Sequence, residues 1–425
     1  MNVLGIIAEY NPFHNGHRYH LEQARQKACA DGVVCVMSGN FVQRGEPAFL
    51  DKWARAQMAL NQGVDLVFEL PVLYATRSAY WFAKGGVLSL YRTGIVSHLA
   101  FGVETAEPAL LKEIAKLLAN EPASFQKLLR QELKTGSSFP KARAKALPAE
   151  LAEEDRLLHS PNNVLALAYL QVLEEEKIPL TPVMIQRQGS GYHDRTLEPN
   201  KLPSATALRQ ALLNGNAKLH ELTEYMPVTT QEIIAAEYRA GKGPFSLTLL
   251  DAPLLTLLRR ASREELRQIV EVTEGLENRI QKTAASAENI AGFLDALKTK
   301  RYPYTRLQRF LIHLLLNYTK KEETLLSEGP PYLRLLGFTP KGQGLLKMMK
   351  QKAVLPLITK GSQIKKYLPD SRLQQFWEFD VRATNLYSLL YPDAARRQGN
   401  LDYLRKPVFC PASAGEKSAG ETTKE

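Results

Sequence analysis

The chain of 425 residues is 44% hydrophobic and 23% charged, ordinary proportions for a soluble globular protein with room for two or three full cores. Its 55 Lys and Arg outweigh 44 Asp and Glu, and the resulting net charge of +11 points to a polyanionic partner, nucleic acid foremost. Three cysteines without ligand spacing exclude a disulfide framework, and with no signal-peptide pattern and no apolar run of membrane-spanning length, a cytoplasmic protein away from any membrane is expected.

The first predicted strand is Val3–Glu9, and the first helix runs from His17 to Ala30. Between them Tyr10-Asn11-Pro12-Phe13 turns the chain, and His14-Asn15-Gly16-His17 leads into the helix. A strand–turn–helix junction of this kind is an anion site, because the first N–H groups of the helix lack intrahelical partners and its positive dipole end faces the loop. Two imidazoles on that loop can donate to phosphate oxygens, and Gly16 lets the backbone come close. The chemistry suggested is nucleotidyl transfer from ATP, with His14 and His17 as catalytic candidates. The plainer alternative is that these histidines only cap the helix. A zinc site on His14, His17 and His20 lacks a further partner at suitable spacing, so no metal ligands are assigned.

Gly32–Gly39 follows as a buried strand ending in a glycine turn, then Asp51–Asn61 as a helix with Asp51 at its N-cap, and Asp65–Pro71 as a strand stopped by proline. Thr76–Tyr91 is a helix and His98–Glu104 another strand. Continuous apolar strands alternating with helices predict an α/β architecture, a parallel sheet covered on both faces whose ligands sit beyond the strands' carboxyl ends. The polar clusters at those ends are His14 and His17, Ser38-Gly39-Asn40 and Gly102-Val103-Glu104.

Residues 107–150 are mainly helical by pattern, and Ser160-Pro161 opens a further helix through an N-cap serine and a first-turn proline. The last predicted strand is Leu180–Gln186. Ser204-Ala205-Thr206 then starts a short helix ending near Gly215, with Arg209 one turn in. Serine and threonine caps and solvated arginines are common singly. Paired with the early histidines, the two hydroxyls and a planar, permanently charged donor form the second half of a phosphate site.

From about residue 216 strand signals fade and helical periodicity runs to about 400, which places a domain boundary there. In this half Arg301, Arg306 and Arg309 interleave with Tyr302 and Tyr304, and Lys347, Lys350 and Lys352 lie in a stretch, 341–368, without an acidic residue. Basic residues mixed with aromatics suit phosphate contacts and base stacking on single-stranded RNA; the alternative is a solvated lysine face. The end of the chain, Pro411–Glu425, has no apolar face and is predicted to be disordered.

The two motifs together, His14-x-Gly16-His17 early and Ser204-x-Thr206-x-x-Arg209 late, resemble the nucleotidyltransferase superfamily that carries an HxGH motif, with Ala205 where many members have a second serine. The stretches Ala8–His17, Met37–Pro47, Gly63–Pro71, Pro161-Asn162-Asn163, Tyr192-His193-Asp194 and Arg334-Leu335-Leu336-Gly337 resemble one family in particular, the tRNA(Met) cytidine acetate ligases, over most of residues 1–400.

That resemblance implies a Rossmann-like parallel-sheet nucleotidyltransferase domain over residues 1–215 and a mainly helical, basic, tRNA-binding domain over 216–405; outside it, residues 406–425 are expected to form a disordered tail. It implies that ATP activates acetate to acetyl-adenylate with release of pyrophosphate, and that the acetyl group moves to N4 of the wobble cytidine of elongator tRNA(Met). Mg²⁺ is expected to share the phosphate charge.

The implied ATP contacts are the loop Ile7, Ala8, Glu9, Tyr10, Asn11, Pro12, Phe13, His14, Asn15, Gly16, His17, Arg18, Tyr19 and His20, then Gly102, Asn162 or Asn163, and Arg187, with Ser204 and Thr206. His14, His17 and Arg209 are the implied catalytic set, and Arg301, Arg306, Arg309, Lys347, Lys350 and Lys352 the implied tRNA contacts. By themselves Gly102 fits a turn, the asparagine pair a helix cap and Arg187 a surface charge. Ser38, Gln43, Arg44 and Lys52 are assigned to the acetate or phosphate side, Glu46 has no role, and no residue identifies itself as the group that assists cytidine N4. Two competing readings remain: an adenylyltransferase making a nucleotide cofactor, against which the basic helical half argues, and an RNA-binding protein with a vestigial site, against which the intact motifs argue.

Overall fold

The structure, a computed structural model, describes residues 1–104, 107–137, 139–148, 151, 160–187, 202–215, 217–367 and 369–411. Strand periodicity sets its layers. In β2 (Gly32–Ser38), Val34 and Val36 face one core while Val33, Cys35 and Met37 face the other, and all five are buried. A strand apolar on both sides needs helices on both faces, each fully buried side chain contributing about 1.5–3 kcal/mol. Helices Ala79–Tyr91, Pro161–Glu175 and Ser371–Ser388 cover the first face, and Asn15–Lys27, Lys52–Asn61, Ala205–Leu213 and Val228–Arg239 the second.

The five strands expected in the first half are present: β1 (Val3–Ala8), β2, β5 (Leu66–Leu70), β6 (His98–Val103) and β7 (Thr181–Gln186), with a two-stranded hairpin, β3 (Phe41–Val42) and β4 (Glu46–Pro47), outside the main sheet. β1 pairs in parallel with β2 on one side and β6 on the other. Consecutive strands thus leave β1 in opposite directions, and the crevice at such a reversal, beyond the carboxyl ends, is where an open sheet binds ligands.

The second half, expected to be mainly helical because strand signals fade, also contributes strands to the main sheet. β8 (Leu333–Phe338) runs antiparallel to β5, β9 (Leu357–Ile358) pairs with β8, and β10 (Val408–Phe409) lies parallel to β8, so the sheet order is β10-β8-β5-β2-β1-β6-β7. Leu333-Arg334-Leu335-Leu336 is leucine-rich, has no β-branched residue and carries a charge, so no strand pattern shows. The tail is corrected, since residues 406–411 are described and contain β10; positions 412–425 lie outside the described residues. Among the described residues no helix is long and apolar enough to cross a membrane.

What anchors the second half to the sheet is a buried charge cluster. Lys52 Nζ donates to both Glu69 oxygens at 2.7 and 2.8 Å and lies 2.8 Å from Asp402 Oδ1. Arg334 reaches Glu69 Oε2 at 3.0 Å and Asp402 Oδ1 at 2.6 Å, and its guanidinium stacks 4.8 Å from the Trp377 ring. Lys52 is therefore a structural cation, which corrects its assignment to an acetate or phosphate site. Arg334→Met is expected to leave two buried carboxylates under-compensated and to cost about 3–5 kcal/mol, read as a lower urea midpoint.

Candidate active site

The carboxyl end of β1 determines the site. After Ala8 the chain turns through Tyr10, which takes a left-handed φ of 44°, and a cis Asn11–Pro12 bond. His14 then caps the Asn15–Lys27 helix: its Nδ1 accepts the Gly16 N–H at 3.0 Å, and His17 Nδ1 accepts the His14 N–H at 3.3 Å. Capping and ligand binding are compatible here. Because each Nδ1 is an acceptor, each neutral ring carries its proton on Nε2, leaving an N–H donor on both for a ligand. The rings stack at 3.8 Å, and a Cβ on residue 16 would lie 2.8 Å from the His14 ring, so only glycine fits there.

Both histidines line a cleft of about 690 Å³ with Glu9, His20, Gly102, Asn162, Arg187 and Arg209. Arg209 donates to the Asn11 carbonyl at 2.9 Å, reaches Thr206 Oγ1 at 3.5 Å, and lies 3.7 Å from Glu46 Oε2. The early and late motifs are thus brought together. Ser204 is the N-cap of the Ala205–Leu213 helix, accepting the Ala207 N–H at 3.0 Å, so its hydroxyl holds the helix that carries Arg209.

The opposite wall is formed at β6 and β7. Gly102 has room for Arg187, whose Cγ would sit 3.4 Å from a Cβ at that position. Arg187 reaches Asn162 Oδ1 at 3.5 Å. Asn163 is buried and does not line the cleft; its Oδ1 accepts the Glu104 N–H at 2.8 Å and holds the end of β6. From the early loop, Ile7, Ala8, Glu9, Tyr10, Asn11, His14, Gly16, His17, Tyr19 and His20 line the cleft. Pro12, Phe13, Asn15 and Arg18 do not: Phe13 is in the core, Asn15 donates to the Glu224 carbonyl, and Arg18 pairs with Glu22.

Gln43, Arg44 and Glu46 line the cleft on the β2 side, while Ser38 is buried and donates to Glu9 Oε1 at 3.4 Å. Glu46 is the cleft residue to which sequence reasoning gave no role; its contact with Arg209 is visible only in the fold.

Arg301, Arg306 and Arg309 also reach the cleft, but each faces an acid: Arg301 pairs with Glu274, and Glu271 sits 3.2 Å from Arg306 and 2.8 Å from Arg309. Lys347, Lys350 and Lys352 are not brought to the cleft. Their helix, Pro340–Lys352, starts at the opposite end of the sheet, where the Thr339 N–H donates to the Asp65 carbonyl at 3.0 Å. β2 alone separates the two ends by about 20 Å. Tyr192-His193-Asp194 lies outside the described residues.

Burial, then the positive charges of Arg187 and Arg209, push His14 down to about 3. Burial and the neighbouring His14 ring hold His17 well below 6.5, and burial takes His20 to about 4. At neutral pH the imidazoles are therefore neutral donors, and positive charge comes from the arginines. Among the described residues no three His, Cys, Asp or Glu side chains gather as a metal site.

The sequence and fold have close counterparts. The family model for HIGH Nucleotidyl Transferase matches residues 1–402. A tRNA(Met) cytidine acetate ligase of Syntrophomonas wolfei is 45% identical over 96% of this chain and 99% of its own length. The enzyme of the same name from Halothermothrix orenii is 41% identical over 95% and 98%. The crystal structure of apo Thermotoga maritima TmcAL superposes with a TM-score of 0.94 at 36% identity, covering 97% of this chain and all of that one; the form bound with alpha-thio ATP gives 0.91.

The lowered histidines tie stability to pH. Below about 6.5 the unfolded chain binds protons on these rings while the folded chain does not, so stability falls as pH drops toward the folded value, by ~1.4 kcal/mol per pH unit for each ring. His14→Asn, which retains a capping side chain, is expected to reduce the slope of folding free energy between pH 6 and 4.5 by about that amount in urea titrations. An unchanged slope would show that His14 titrates freely.

Proposed function

This chain belongs to the HIGH nucleotidyl transferases and, among them, to the tRNA(Met) cytidine acetate ligases, and on that footing we propose that it joins acetate to the adenylyl group of ATP and passes the acetyl group to N4 of the wobble cytidine of elongator tRNA(Met). It is a ligase that uses ATP. The observation that carries the reading is the convergence of His14, His17, the helix N-terminus behind them and Arg209 on one cleft that extends past Gly102 and Asn162 on one side and Gln43 and Arg44 on the other.

Acetate is ionised at pH 7, so adenylation needs no base. One acetate oxygen attacks the α-phosphorus in line, the P–O bond to pyrophosphate breaks, and the leaving group carries away the electron pair. The protein's task is to hold the reactants and to meet the charge that grows on pyrophosphate. The Nε2–H groups of His14 and His17, the free N–H groups of the helix and the Arg209 guanidinium supply that charge complement. Gly102, Asn162 and Arg187 hold the nucleoside side. Mg²⁺, when bound with the nucleotide, would offset triphosphate charge; of the cleft carboxylates, Glu46 and Glu271 already face arginines.

Wobble cytidine enters from the rim near Arg301, and the remote Lys347, Lys350 and Lys352 add contacts to the tRNA backbone. The protein works in the cytoplasm, where ATP and tRNA meet.

The deciding experiment is incubation with ATP, Mg²⁺, radiolabelled acetate and elongator tRNA(Met), followed by nucleoside analysis. Label in N4-acetylcytidine is the expected result; acetate-dependent pyrophosphate exchange with no labelled nucleoside would remove tRNA(Met) as the acceptor. His17→Ala is expected to lower that exchange by ~10²–10³-fold, the range for loss of one transition-state donor. Neutralising Lys347, Lys350 and Lys352 together is expected to spare exchange and to lower the slope of log affinity for tRNA against log salt by about 2–3. An unchanged slope would move the RNA surface elsewhere.

A further inference from the structure

Acyl transfer to cytidine makes a demand that adenylation does not. The N4 lone pair is delocalised into the ring, so a proton must leave N4 as its bond to the acyl carbon forms. Three carboxylates line the cleft: Glu9, Glu46 and Glu271. Two are engaged. Glu46 accepts from Gln308 Nε2 at 2.8 Å and faces Arg209, and Glu271 is clamped between Arg306 and Arg309, which hold it near 2 despite its burial.

Glu9 is different. It makes no ion pair among the described residues. The Gln43 N–H at 2.7 Å and the Ser38 hydroxyl at 3.4 Å both donate to Oε1, and Oε2 accepts from none of the described residues. Burial raises its pKa, which strengthens it as a base. Arg55 from the Lys52–Asn61 helix, Arg44 from the β3–β4 hairpin, Arg209 from the Ala205–Leu213 helix and Tyr169 from the Pro161–Glu175 helix are the charged or titratable groups facing it.

Its place in the sheet matches the step. β1 lies between β6 and β2. With the nucleoside on the β6 and β7 wall and the α-phosphate at the helix N-terminus, the acyl group and its acceptor are left the β2 side, where Glu9 stands beside Gln43. A carboxylate is also the acceptor suited to the exocyclic amine of cytosine.

We propose that Glu9 is the catalytic base of acetyl transfer, an inference that rests on the function given above. N4 attacks the acyl carbon and the N–C bond forms. Oε2 takes the N4 proton. The C–O bond to phosphate then breaks, and AMP leaves with the electron pair. Glu9 returns its proton to solvent.

The test uses full-length Glu9→Gln, which keeps the oxygen that accepts from Gln43, supplied with preformed acetyl-adenylate and elongator tRNA(Met) in single turnovers. Transfer is expected to fall ~10²–10⁴-fold, the span for loss of a general base, with acetate-dependent pyrophosphate exchange reduced far less. Wild-type transfer should rise with pH along one ionisation that Glu9→Gln lacks. Equal loss of exchange and transfer, or an increased Mg²⁺ requirement for exchange, would overturn the assignment. If Glu9→Gln does not fold, Ser38→Ala removes a bond to the ionised form and should move the wild-type ionisation upward; an unmoved profile would overturn it as well. Wild-type protein that passes no acetyl group from acetyl-adenylate to tRNA would instead refute the reading beneath, whatever Glu9 does.

Discussion

The fully buried guanidinium of Arg55 holds the end of the sheet on which the cleft is mounted. Its Nε donates to the Leu50 carbonyl at 3.0 Å, one terminal nitrogen to the Glu9 carbonyl at 2.6 Å, and the other to the carbonyls of Ser38 and Gly39. Ser38 is the last residue of β2, and Glu9 and Gly39 are the first beyond β1 and β2. A loop leaving a parallel sheet would otherwise bury unpaired carbonyls, each costing about 1–3 kcal/mol. One rigid fork satisfies them and fixes the spacing between the two loops. From there the chain of contacts continues outward: the Asn11 side chain accepts the Phe49 N–H at 2.7 Å, and the Asn11 carbonyl receives Arg209. The two motifs, separated by nearly two hundred residues, are thus held to one frame by backbone groups.

That frame explains why the histidines act as dipoles rather than charges. A protonated imidazole beside Arg187 and Arg209 in a buried site is unfavourable, so the rings stay neutral with their Nε2–H groups available. Protonation would also cost both caps, because each Nδ1 already accepts a backbone N–H.

Much of this was legible in the sequence where local physics dominates. The apolar runs of the first half and the histidine loop each predict their own structure, and helix ends shifted by only a few residues: the first helix starts at Asn15 rather than His17 because His14 itself is the cap. What was not legible depends on partners distant in sequence. β8 reads as a leucine-rich segment until Glu69 and Asp402 neutralise Arg334 and the strand pairs with β5. Lys52 and Arg44 look alike as loop cations, yet one is fully buried against carboxylates and the other lines the cleft. The lysines of Pro340–Lys352 are basic by composition, but only the sheet places them at its amino end.

The same distinction orders the arginines around the cleft. Arg309 lies 2.8 Å from Glu271, a tight and partly desolvated pair that an incoming ligand cannot cheaply break. Arg209 stands 3.7 Å from Glu46, too long for a strong charge-assisted bond, while two of its other contacts are to a carbonyl and a hydroxyl that fix its direction without cancelling its charge. In the proposed reaction phosphate recruits Arg209 by loosening one weak contact, whereas Arg306 and Arg309 stay committed to Glu271. Placement at the cleft does not distinguish Arg209 from Arg306 and Arg309; the strength of the existing ion pair does, and of these three Arg209 holds the loosest one.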